Sequence, residues 1–173
     1  ACTIGGNYNF THSTFANYWT NGIRSLQTVY INNFYTYNNS SGQEITETRD
    51  LVAANFTNCI IDGNNNIEFL PDRVEGSIFN FKVSNSLIKF SDLNNLFTGI
   101  PEINFDDTNL YDNIILNGVS HFKNPTMNDF IIGQESQAIN FGNSNGANLI
   151  PLDILGVSRL LSPDAGAYQH IDF

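Results

Sequence analysis

Four short segments of similar character recur along the first ninety residues, and this recurrence constrains the fold more than any other feature. They are rich in aromatic and β-branched residues and are bounded by Gly, Asn or Ser: residues 8–15, 28–37, 54–62 and 79–90. Such segments are strand signals. Comparable tetrapeptides within them begin at His12, Asn33, Asn58 and Asn85, which are 21, 25 and 27 residues apart. A period in the twenties, with strands and no helical pattern, is typical of a β-solenoid.

The repeated positions predict a ladder of polar side chains. Stacked amides at Asn33, Asn58 and Asn85 would lie about 4.8 Å apart and bond to each other along the stack. We expect His12 to face outward or to lie at an edge. A β-sandwich remains an alternative, because its strands also come at short spacing and the stretch 62–64 reads as a hairpin turn.

Composition and charge exclude several classes of function. The chain of 173 residues carries a net charge of −10, with only seven Lys or Arg and 27 Asn. Nucleic-acid binding needs clustered cations, whereas the Lys and Arg residues of this chain are scattered. We therefore exclude nucleic-acid binding. No apolar run is long enough to span a membrane. Cys2 and Cys59 are the only cysteines, and free thiols are favoured over a bridge.

The last third of the chain carries the most specific motifs. The stretches 128–143 and 151–169 resemble the C-terminal end of bacterial right-handed parallel β-helix proteins, many of them secreted or cell-surface proteins of Bacteroidetes-type bacteria. The matching positions are Asp129, Phe130, Ser136, Ala138, Ile139, Gly142, Asp153, Gly156, Arg159, Pro163, Asp164, Gly166, Ala167 and Tyr168. The chain departs from that pattern at Gln169, where Glu is usual.

The resemblance implies an all-β fold, a right-handed parallel β-helix solenoid. We expect about four rungs over residues 1–98, then an irregular last section and C-terminal cap over residues 99–173, in one continuous domain. Arg159 could pair with Asp153 or Asp164 to pin this cap. No comparable cap precedes the first rung, so we expect this end to be covered by upstream β-helix rungs or by a partner protein.

A calcium site is one candidate for chemistry. Parallel β-helix proteins that resemble pectate or alginate lyases use acidic residues to hold Ca²⁺ beside an acidic sugar. The candidates here are Asp106, Asp107 and Asp112, with Asn104 and Asn109 nearby. The alternative is a solvated acidic turn, and no other cofactor is expected.

Carbohydrate binding is the second candidate, because aromatic rings stack on sugars while polar side chains bond to hydroxyl groups. We predict this role for Tyr35, Tyr37, Arg49 and Arg73. The alternative is that the aromatic rings pack in the core or on a strand face. No catalytic residue is predicted. Five carboxylates on or near the strands could form a hydrolytic pair only if the fold joins two of them: Asp50, Asp62, Glu68, Asp72 and Glu75.

The combined expectation is a non-catalytic scaffold or interaction portion of a bacterial extracellular or cell-surface protein, with a polysaccharide as a possible partner. One alternative is the C-terminal end of a polysaccharide lyase or glycoside hydrolase acting on acidic glycans. Another is a subunit of an outer-membrane assembly, which would explain the uncovered first rung.

Overall fold

Twelve short β-strands and one short helix make up the regular structure, which a computed structural model describes over all residues 1–173. The strands are β1 Gly6–Thr11, β2 Thr14–Asn17, β3 Val29–Asn32, β4 Phe34–Asn38, β5 Glu44–Thr48, β6 Leu51–Thr57, β7 Ile60–Gly63, β8 Phe69–Asp72, β9 Lys82–Ile88, β10 Tyr111–Leu116, β11 Phe122–Asn124 and β12 Asp129–Ile132. The helix α1 spans Ser144–Leu149, and two 3₁₀ turns cover Pro101–Ile103 and Pro125–Met127.

The strands form four separate sheets. The largest has six strands in the order β1-β6-β9-β7-β2, with β10 added beside β9, and all its pairs are parallel. Strands β3 and β8 form a second, parallel pair. Strands β4 and β5 form an antiparallel hairpin, and β11 and β12 form another antiparallel pair.

The predicted right-handed parallel β-helix of about four rungs is wrong. The strands divide into one six-stranded sheet and three two-stranded sheets, and they do not close into a solenoid. The physical reason lies in the segment 28–37, the second of the four recurring segments. The first half of this segment, β3, pairs with β8. The second half, β4, pairs with β5 in an antiparallel hairpin. The β-rich character of the chain is what the prediction had right.

A column of four residues in the left-handed backbone conformation runs across the large sheet. The strand registers align His12, Asn58, Asn85 and Asn113, whose φ angles are 49°, 55°, 47° and 53°. Asparagine tolerates this conformation better than most residues, which explains its recurrence here. Asn33 does not belong to this column, because it lies between β3 and β4 and has no positive φ.

The polar ladder along this column runs through the start of α1. The Asn58 amide lies 2.9 Å from His12 Nε2, and the Asn143 backbone N–H donates to Asn58 Oδ1 at 2.8 Å. The Asn143 amide donates in turn to Asn85 Oδ1 at 2.8 Å. His12 is therefore buried rather than outward-facing, since α1 lies over it. A Cβ on Gly146 would stand only 2.3 Å from the Asn58 amide nitrogen.

Two apolar clusters hold the sheets together. The larger one consists of fourteen buried residues, with phenylalanines packed edge to face: Phe56 against Phe69, and Phe81 against Tyr111. The smaller one joins the sheet to the C-terminal third through Ile60, Leu87, Phe122, Ile132, Ala138 and Ala165. Each large side chain contributes about 1.5–3 kcal/mol by leaving water.

The segment predicted as a cap lies against β2 and β7. The backbone N–H of Gly166 donates to Asn58 O at 2.8 Å, and that of Ala167 donates to Thr14 Oγ1 at 2.9 Å. Gly166 has a φ of 94°, and a Cβ there would stand 2.7 Å from Ile60 Cδ1. Only glycine therefore lets the backbone approach this closely.

Arg159 fixes this segment from within, but without a direct ion pair. Its side chain is buried and donates to Ala167 O at 2.8 Å and to Gln169 Oε1 at 3.3 Å. Burial lowers the Arg159 pKa, and the charges of Asp153 and Asp164 act against that effect. Gln169 also accepts the Asp164 N–H, so it supplies the acceptor oxygen that a glutamate would supply.

Both thiols are free and buried, as the sequence favoured. Burial raises the pKa of Cys59 to about 12, so its reactive thiolate is scarce at neutral pH. We expect a thiol reagent to leave Cys59 unmodified in the native protein and to modify it after unfolding in urea. Peptide mass mapping of the labelled site checks this, with Cys59→Ser as the control. Fast native labelling of Cys59, or an intact mass that lacks two hydrogens, would contradict it.

Candidate functional site

Strands β4 and β5, together with Arg49, form a projecting element that we call the tyrosine hairpin. Tyr35 and Tyr37 lie two positions apart on β4 and therefore share one face of it. Their rings are stacked, with centroids 5.7 Å apart and planes inclined by 20°. Tyr37 is 42% exposed, so this aromatic pair is accessible to a ligand.

A carboxylate and a guanidinium complete this face. Both phenols donate to the carboxylate of Glu47, and the bond from Tyr37 is 2.9 Å long. These hydrogen bonds lower the pKa of Glu47 and raise that of Tyr37. The Arg49 guanidinium lies 5.8 Å from the centroid of the Tyr35 ring. The hairpin thus offers flat apolar rings beside groups that can bond to hydroxyls.

Arg73 does not join the other three predicted sugar-binding residues. Its guanidinium forms ion pairs with Glu75 and Glu102, each at 3.2 Å. Arg73 forms no hydrogen bond or ion pair with a residue of the tyrosine hairpin. Of the predicted set, the structure therefore brings together Tyr35, Tyr37 and Arg49.

Of the three acidic candidates for calcium, only Asp107 has a carboxylate that accepts hydrogen bonds within the chain. Asp107 accepts the backbone and side-chain N–H groups of Asn109, and Asn104 accepts the Asp106 N–H. Asp112 lies on β10, away from this turn in the sequence. No group of three or more His, Cys, Asp or Glu side chains is placed to hold a metal. The calcium site stays a prediction.

The five carboxylates considered for glycoside hydrolysis all have partners within the chain. Each is hydrogen-bonded or ion-paired: Asp50, Asp62, Glu68, Asp72 and Glu75. In each case the partner is a residue other than a second carboxylate.

A polar pocket of about 290 Å³, absent from the sequence-based candidates, lies where the ends of several strands meet. We call it the Asp62 pocket, and its lining is Tyr18, Asp62, Lys89, Asn117, Gly118, Val119, Ser120 and His121. These residues come from four separate parts of the chain. The sequence indicates Asp62 only as one of five carboxylates for hydrolysis. No local spacing connects Asp62 to the other residues of this pocket.

Asp62 is the fixed centre of this pocket. It is only 6% exposed, and its carboxylate accepts Ser120 Oγ at 2.6 Å and the Gly63 N–H at 2.7 Å. Lys89 Nζ lies 3.9 Å from Asp62 Oδ1. Burial, and then the Asp62 carboxylate, raise the pKa of Tyr18, so its phenol stays protonated. The pocket therefore contains a neutral phenol and an opposite pair of charges.

Comparison of the chain with protein-family models, with curated proteins and with solved structures finds no match in any of the three. The chain contains no helix that is long and apolar enough to cross a membrane. The likeness of its closing motifs to those of bacterial surface proteins stays an expectation from the sequence.

Proposed function

We propose that this chain is a non-catalytic carbohydrate-binding portion of a bacterial extracellular or cell-surface protein, with the tyrosine hairpin as its contact surface. The observation that carries the proposal is the stacked pair of the half-buried Tyr35 and the exposed Tyr37, held by Glu47. A pyranose ring presents C–H groups to such an aromatic face, and its hydroxyls reach the neighbouring polar groups.

The hairpin is suited to binding because its groups are already held in place. The Tyr35 and Tyr37 phenols have little rotational freedom left to lose, since both bond to one carboxylate. Arg49 can donate to a hydroxyl at the edge of the same ring.

The same contacts favour binding over catalysis. The pKa of Glu47 is lowered by its two phenol donors, so this carboxylate is a poor general acid. The guanidinium group of an arginine offers hydrogen-bond donors and no acceptor, which suits binding of hydroxyl groups. The proposal also includes upstream strands or a partner protein along β1, which pairs only with β6 and has one free edge.

We expect Tyr37→Ala to weaken binding to a retained polysaccharide by about 5- to 30-fold, because one of two stacking rings is lost. Affinity electrophoresis through a panel of neutral and acidic polysaccharides measures this. The matched control is Thr36→Ala, since Thr36 lies on the opposite face and bonds to Thr46. That variant should migrate as the wild type does.

Three results would overturn the proposal. Two concern binding: unchanged retention of Tyr37→Ala, and retention by no polysaccharide in the panel. The third concerns the non-catalytic part: new reducing ends or unsaturated sugars after incubation with the wild-type protein would assign the chain to the lyases or hydrolases instead.

A further inference from the structure

The Asp62 pocket contains a cation whose hydrogen-bonding capacity is mostly unused. Lys89 Nζ donates to the Gly63 carbonyl oxygen, and its distance of 3.9 Å from Asp62 is too long for a hydrogen bond. An ammonium group has three donors, so two remain for a ligand. One third of the Lys89 side chain is exposed, which makes these donors accessible. The basic residues Arg24 and Arg73, in contrast, are committed to glutamates.

The carboxylate of Asp62 does not need Lys89 as a hydrogen-bond donor. Ser120 and the Gly63 N–H already supply one bond to each of its oxygens, and the Tyr18 phenol faces it. Its negative charge is thereby partly balanced without the ammonium group. The free side of Lys89 is consequently available to an external anion.

His121 adds a second donor to the lining. Its Nδ1 accepts the Glu135 N–H at 3.2 Å, so the neutral ring carries its proton on Nε2. That nitrogen lies 3.7 Å from the carboxylate of Glu135, a side chain that is 76% exposed and free to move away. The Phe173 ring stacks on His121 with centroids 5.2 Å apart and holds the imidazole in place.

We infer that the Asp62 pocket is a second binding site, for a small carboxylate that also carries hydroxyl groups. The carboxylate of the ligand pairs with Lys89 and receives the Nε2–H of His121. An adjacent hydroxyl donates its proton to the Asp62 carboxylate, which already accepts the proton of Ser120. A pocket with one buried carboxylate and one accessible ammonium favours this combination over a ligand that is purely anionic or purely neutral.

This site shares no residue with the tyrosine hairpin, and its existence does not depend on carbohydrate binding there. Failure of one binding activity therefore leaves the other intact, and the two are measured with different probes.

The test is a titration of the full chain with gluconate, followed by two-dimensional amide NMR at constant ionic strength. We expect saturable shifts at residues of the pocket, with a Kd in the millimolar range, on the order of 4 kcal/mol of binding free energy. Glucose, which lacks the carboxylate, and acetate, which lacks hydroxyls, should each bind at least about tenfold more weakly. Lys89→Met should weaken gluconate binding about tenfold or more.

The matched control is Lys82→Met, which removes a charge of the same kind outside the pocket. It should bind gluconate as the wild type does, and thermal unfolding should show that both variants are folded. The inference is overturned if gluconate shifts do not saturate, if acetate or glucose binds equally well, or if Lys89→Met retains the wild-type affinity.

Discussion

Replacing Glu68 with alanine is expected to destabilise the folded protein by about 3–5 kcal/mol, the largest single-site effect that we predict. Glu68 is fully buried, and its ion pair with Arg24 is nearly so, with 10% of the arginine side chain exposed. Removing one member of such a pair leaves an uncompensated charge inside the protein.

The hydrogen bonds around Glu68 add to this cost. Its carboxylate accepts from both terminal nitrogens of Arg24, from the N–H and the hydroxyl of Thr28, and from the N–H of Asn65. These partners lie on the segment before β3 and on the turn after β7. Alanine would leave the N–H groups of Thr28 and Asn65 without an acceptor, and each buried donor without a partner costs about 1–3 kcal/mol. The Arg24 nitrogens and the Thr28 hydroxyl would keep only their bonds to backbone oxygens and to each other.

Urea unfolding followed by circular dichroism measures the effect. Glu75→Ala is the matched control, because Glu75 is 87% exposed in its ion pair with Arg73 and should change stability by no more than about 0.5 kcal/mol. Glu68→Gln keeps the shape and should lose less than alanine does. A loss below about 1 kcal/mol for Glu68→Ala would show that the pair contributes no more than a surface contact.

The positions of most early strands could be predicted, whereas their partners could not. The segments 8–15, 54–62 and 79–90 overlap β1, β2, β6, β7 and β9, because aromatic and β-branched residues favour strands locally. Pairing depends on contacts between distant residues, which local spacing does not determine. The true equivalent of Asn58 and Asn85 is Asn113, in a region that the sequence marked as irregular.

The candidate sites divide in the same way. Tyr35 and Tyr37 could be predicted to share a face because they alternate along one strand. The Asp62 pocket could not, because Tyr18, Lys89 and Ser120 meet only once the sheets have formed. His12 was assigned to the exterior for a related reason: the helix that covers it comes from residues 144–149.

His12 leads to the second large prediction, a loss of stability on acidification. Burial, and then the charge of Arg159, lower the pKa of His12 to about 4, although Asp164 acts in the opposite direction. The unfolded chain binds this proton near pH 6.5, and the folded protein does so only near pH 4. Full stability is therefore present above pH 6.5 and is lost as the pH falls toward 4, by about 3 kcal/mol in total.

The variant that isolates this effect is His12→Asn. Asparagine occupies the three equivalent positions Asn58, Asn85 and Asn113 in the same left-handed conformation, so the backbone should accept it without strain. Subtracting its free energy of unfolding from that of the wild type at each pH cancels the titration of the other groups. We expect this difference to change by about 3 kcal/mol between pH 7 and pH 4. The wild type should lose this stability relative to His12→Asn as the pH falls.

His170→Asn is the matched control, since His170 is 39% exposed beside Asp164 and leaves His12 in place. This variant should still show the loss that His12 causes. A difference between wild type and His12→Asn that does not vary with pH would mean that the folded protein accommodates a charged His12. The Asn58 amide would then have to turn away from His12, because His12 Nε2 faces an N–H donor of that amide and cannot carry a proton of its own there. The pH profile thus tests both the titration of one histidine and the hydrogen bond that Asn58 donates to it.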